Sequence, residues 1–99
     1  MLATTDLAVW KTKTQNLIAN IRGVIGLGSV PVFMTQFQGM GIGGTAYDAL
    51  NVKIDEISDE GTNIYKVSAI GAELRDENHW DYYGFKNIGQ KILSQFEAL

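Results

Sequence analysis

Cysteine is absent from this 99-residue chain, which removes disulfides and thiolate metal sites and leaves the redox compartment undecided. Histidine occurs once, at His79, and proline once, at Pro31. With one imidazole, a zinc site would have to complete its three or four ligands from carboxylates alone, so no metal is expected. Basic residues are few as well: 8 Lys+Arg, scattered singly against 11 Asp+Glu, give a net charge of −3 and no basic patch, which argues against nucleic acid as a partner. No apolar run approaches the roughly 18 residues of a membrane span. Met1-Leu2-Ala3-Thr4-Thr5-Asp6 lacks a basic stretch followed by an apolar one, so neither a membrane span nor a signal peptide is expected, and the localisation is left unknown.

What is present suits one small domain over residues 1–99: apolar content is 45% and aromatic content 10%. Leu7, Trp10, Leu17, Ile21 and Val24/Ile25 recur at helical intervals, predicting a helix over about 6–25, with Thr4, Thr5 or Asp6 as cap and Gly26-Leu27-Gly28-Ser29 as stop. Residues 30–37 form a short β-branched apolar run, the pattern of a strand covered on both faces, with Pro31 at its first residues. A glycine-rich loop, 38–45, leads to a helix of about 46–59 carrying Tyr47, Leu50, Ile54 and Ile57, and Gly61-Thr62-Asn63 turns into a second strand over 64–70. After a loop, Phe85, Ile88, Ile92 and Phe96 mark a last helix of about 82–98 capped by Asp81. The order α-β-α-β-α predicts an α/β fold whose two strands run parallel across a right-handed crossover. Two buried strands make a poor sheet, so a complementing polypeptide or self-association is expected to supply the rest.

The chemistry concentrates in Asp76-Glu77-Asn78-His79-Trp80-Asp81-Tyr82-Tyr83-Gly84. A carboxylate three residues before an imidazole on a turn holds the ring in one tautomer and one orientation, the arrangement of a general base. Gly39-Met40-Gly41-Ile42-Gly43-Gly44 spells a dinucleotide fingerprint, but Val67-Ser68-Ala69 stands where its acid is due and the loop is long for a phosphate turn. A rim loop is the better reading, and no cofactor is expected. Ser29, Ser58, Ser68 and Ser94 include no nucleophile-elbow pattern.

Taken together, the Val-Pro-Val-Phe-Met-Thr-Gln strand, the Asn-Ile-Tyr-Lys-Val strand, their helices, and Asp76-x-x-His79 with Gly84 before the last helix resemble the carboxyl-terminal half of SGNH (GDSL-like) hydrolases. The flavour is that of the sialate O-acetylesterase and acetylxylan esterase branch. The resemblance implies a flavodoxin-like three-layer α/β/α sandwich, here only its C-terminal portion, and hydrolysis of an acetylated carbohydrate or another small ester. It implies His79 as the general base, Asp76 as its orienting partner, and Gly84 as the residue that lets the chain fold tightly into the last helix. Gln36 would point into the substrate cleft, with Trp80 as part of an aromatic wall for a sugar. The family's Gly-Asp-Ser nucleophile block does not occur in this sequence, and its Gly-x-Asn oxyanion block is not matched in place, since Gly61-Thr62-Asn63 falls on the wrong side of two elements. Without serine and oxyanion donors the chain alone is expected to be inactive. The competing reading is a non-catalytic α/β binding or assembly module in which the D-x-x-H is a relic.

Overall fold

The computed structural model describes residues 4–26, 28, 30–37, 47–76 and 79–99. The elements follow the predicted order: α1 (Thr4–Ile25), β1 (Val32–Thr35), α2 (Asp48–Glu60), β2 (Ile64–Val67) and α3 (Tyr82–Glu97). The fold is α/β: the described residues form three helices and two parallel strands in register Val32↔Ile64 to Thr35↔Val67. The glycine-rich segment read as a fingerprint or rim loop lies outside the described residues.

The element ends have local causes. Helix α1 begins at Thr4, so Asp6 lies inside its first turn, favourably placed against the helix dipole, rather than before it as a cap. Gly26, at φ +70°, closes the helix in the left-handed conformation that glycine adopts without strain. Asp81 caps α3 as expected, its Oδ1 accepting the Gly84 N–H at 2.8 Å. Both strands are shorter than the predicted runs of 30–37 and 64–70. Beyond β1, Asn51 of α2 takes the place of a neighbouring strand, accepting the Phe37 N–H at 2.8 Å and donating to the Phe37 carbonyl. Beyond β2, the Ser68 hydroxyl accepts the Ile70 N–H at 3.1 Å and Ala72 donates to the Ala69 carbonyl, which turns the chain away.

Successive strand residues point to opposite faces. Lys66 reaches α2 through Asp55, whereas Val67 packs with Ala69 and with Ile88 of α3, joined by Phe33, Ala72, Trp80 and Ile92. The two helices therefore lie on opposite faces of the strand pair. Ile54 and Ile57 of α2, with Ile64, are buried near the other end of β2.

The expected apolar face of α1 is only partly a core face. Leu7 is buried and Trp10 half-buried, but Leu17, Ile21, Val24 and Ile25 are exposed. Helix α1 packs chiefly on α2, clasped by Lys11 to Glu56 at 3.2 Å and to Glu60, and nothing among the described residues covers that stripe. The strands are likewise not buried on both faces. Every residue of β1 is half-buried, and in β2 only Ile64 and Val67 are buried. A two-stranded sheet leaves edges that longer sheets would hide.

Those edges differ. Val32 and Gln36 donate to the Asn63 and Val67 carbonyls, so the even-numbered carbonyls of β2 point outward. Side chains take both: Ser58 Oγ donates to Ile64 and Gln95 Nε2 to Lys66, and just beyond the strand Lys91 Nζ donates to Ser68 and to Ile70.

Candidate active site

The segment before α3 folds back on itself. Leu74 and Trp80 form an antiparallel bridge, Arg75 donates to the His79 carbonyl at 2.8 Å, and Asp81 donates to the Glu73 carbonyl at 3.0 Å. Asp76 and His79 thus stand at the two ends of a tight reversal, and their side chains meet: His79 Nδ1 lies 2.8 Å from Asp76 Oδ1 and 3.0 Å from Oδ2.

The reversal is anchored from below. Gly84 is buried, and a Cβ there would run into the Glu73 carbonyl and come within 2.9 Å of Trp80 Cβ, so only glycine lets α3 approach this closely. Trp80 is half-buried, stacked on Phe37 at 6.1 Å between ring centroids and edge-on to Phe85 at 5.5 Å. These contacts tie the turn to the end of β1 and to the start of α3.

Asp76 and His79 are themselves in water, with side chains 50% and 60% exposed. An exposed pair of this kind contributes at most about 1 kcal/mol to folding. Stability is therefore a weak reason for the contact, whereas orientation is a direct result of it. In the neutral imidazole the carboxylate selects the tautomer with the proton on Nδ1, leaving the Nε2 lone pair as the acceptor. No described residue donates to Nε2. Arg75 Nε lies 3.9 Å from Asp76 Oδ2, which places a positive group beside the carboxylate.

The remaining predicted residues lie elsewhere in the hydrogen-bond network. Gln36 donates to Asp55 Oδ1 at 2.6 Å and to the Asn51 carbonyl at 3.4 Å, so it is bonded to α2 and not to Asp76 or His79. Trp80 adjoins His79 in the chain, but its ring is spent on packing. Ser58 and Ser68 use their hydroxyls on nearby backbone. Ser29 lies outside the described residues. No group of three metal-ligating side chains occurs among the described residues.

One feature escaped the sequence reading. An open groove of about 500 Å³ is lined by Gln36, Lys66, Ser68, Asn87, Lys91 and Gln95, among others. It forms where the polar side of α3 meets β2, a juxtaposition that no local pattern announces. Lys66 lies in it with its pKa held above the ordinary value, first by its hydrogen bond to Asp55 and then by that carboxylate's charge. Compared with protein-family models, with curated proteins and with solved structures, the chain matches none of them.

Proposed function

We propose that this chain supplies the Asp76–His79 pair of a Ser-His-Asp triad in a serine esterase acting on an acetylated carbohydrate or other small ester, within a flavodoxin-like SGNH sandwich that a complementing polypeptide completes. The observation that carries the reading is the contact of His79 Nδ1 with both Asp76 oxygens, which leaves Nε2 as the acceptor nitrogen, with no described residue donating to it. In the complete site Nε2 takes the proton of a serine hydroxyl as the oxygen attacks the ester carbonyl. The tetrahedral adduct then expels the alcohol, which receives that proton, and water attacks the acyl-serine by the same relay. Asp76 holds the ring and stabilises the imidazolium. Gly84 and Trp80 fix the turn from which the pair projects.

Two measurements test this. Nitrogen-15 spectra of the imidazole should show Nδ1 protonated and Nε2 unprotonated in the neutral form, and Asp76→Ala should return the ring to a mixture of tautomers; the same mixture in the unmodified chain would remove the orienting role. A serine-reactive fluorophosphonate should label no serine of this chain. A labelled Ser58, Ser68 or Ser94 would place the nucleophile within it and overturn the split-triad reading.

A further inference from the structure

At the outer edge of β2 side chains take the carbonyls: Ser58 that of Ile64, Gln95 that of Lys66, and Lys91 those of Ser68 and Ile70 just beyond the strand, so that only N–H groups remain there. At the outer edge of β1 no described residue takes either the carbonyls or the N–H groups. Because Val32 and Gln36 donate inward to β2, the backbone groups of the residues between and beside them alternate, and the N–H and C=O of Phe33 and of Thr35 face away from β2. No hydrogen bond among the described residues reaches these four groups. The open stretch is bounded on both sides: Pro31 has no N–H to offer, and both backbone groups of Phe37 are bonded to the Asn51 side chain.

We infer that this edge pairs with the same edge of a second copy of the chain, antiparallel, about a two-fold axis at Met34. In that register Phe33 of one copy lies opposite Thr35 of the other. Each such pair exchanges two hydrogen bonds, so the two pairs use all four open groups of each copy with none left over. The next pair outward would be Pro31 opposite Phe37, where Pro31 has no N–H to give and the Phe37 N–H that its carbonyl would need is already held by Asn51, so the ladder ends there. The side chains agree with this register. Phe33 and Thr35 share a face, giving two aromatic–β-branched cross-strand pairs, and the two Met34 residues form the close, non-hydrogen-bonded pair at the axis. A single short ladder buries far less than the roughly 1,000 Å² of a firm interface, so the dimer is weak and appears only at high concentration. The inference concerns the chain on its own and does not depend on His79 being catalytic; a complementing polypeptide that extended the sheet would take this same edge and displace the second copy.

Light scattering across a concentration series, up to about 1 mM where a millimolar complex half-forms, should show a monomer passing to a dimer. Thr35→Pro removes an N–H that β2 does not use, so the native strand pair survives while dimerisation weakens at least about tenfold. Since the chain has no cysteine, Met34→Cys gives an independent readout that leaves the edge intact. Opposed Cα atoms at the axis stand about 4.5 Å apart, within disulfide reach, so oxidation should link two copies far faster than it links Val52→Cys on exposed α2. A chain monomeric throughout the series overturns the inference, as does a dimer indifferent to Thr35→Pro, or Met34→Cys cross-linking no faster than Val52→Cys.

Discussion

Helices α1 and α2 pack on each other and carry similar aliphatic residues, yet they are buried very differently. In the 13 residues of α2, Ile54 and Ile57 are buried at 2% and 0% exposure; in α1, over residues 6–25, only Leu7 is, while Val24 is 87% exposed. The difference is not in the side chains. Helix α2 rests on β2 and turns its isoleucines into the space between them, whereas α1 rests chiefly on α2 and holds Leu17, Ile21 and Val24 in water. Apolar periodicity marks the face a helix is able to bury, and the neighbouring element decides whether burial happens.

The sharpest way to break this contrast is to cut one aliphatic residue from each helix. Ile57→Ala should cost about 2–5 kcal/mol by chemical denaturation, from lost transfer energy and the cavity left behind. The matching Leu17→Ser on α1 should change stability by less than about 0.5 kcal/mol. A comparable loss at Leu17 would mean that something covers the stripe in solution. Gly84→Ala sharpens the comparison at the third helix. Forcing a methyl against the Glu73 carbonyl and Trp80 should cost about 1–3 kcal/mol and disturb the Asp76–His79 turn, visible as a changed imidazole spectrum.

The smallest expected effect concerns the clasp between α1 and α2. Hydrogen bonds from Lys53 first and from Lys11 next hold the Glu56 carboxyl below its ordinary pKa, and Glu60 first, with Glu56, holds Lys11 above its own. A lowered carboxyl pKa adds stability that is present above the unfolded value and lost as the pH falls through the folded one. The clasp should therefore loosen on acidification below the ordinary carboxylate range. Lys11→Met should flatten that acid limb of the stability–pH curve while leaving the Lys53 contribution, and an unchanged limb would show that the clasp contributes nothing.

What was legible in the sequence was local. The element order, the Gly26 stop, the Asp81 cap and the meeting of Asp76 with His79 each depend on residues within a few positions of one another. What was not legible depends on distant pairs. Asn51 ending β1 from α2 and Lys91 and Gln95 taking carbonyls at the edge of β2 from α3 involve partners 14 to 29 positions away, and the exposed Leu17 and Ile21 have no cover among the described residues. Gln36 illustrates the limit. A polar residue after a strand suits a cleft and suits a helix contact equally well, and its hydrogen bonds to Asp55 and Asn51 are non-local.

Trp80 has a practical consequence. Its indole stacks on Phe37 and meets Phe85 edge-on, its buried Nε1 has no partner among the described residues, and the preceding residue is His79. With Trp10→Phe removing the other indole, the chain carries a built-in optical gauge: a polypeptide settling over the imidazole would change the colour and yield of the Trp80 emission, so its arrival could be followed by fluorescence without any attached dye.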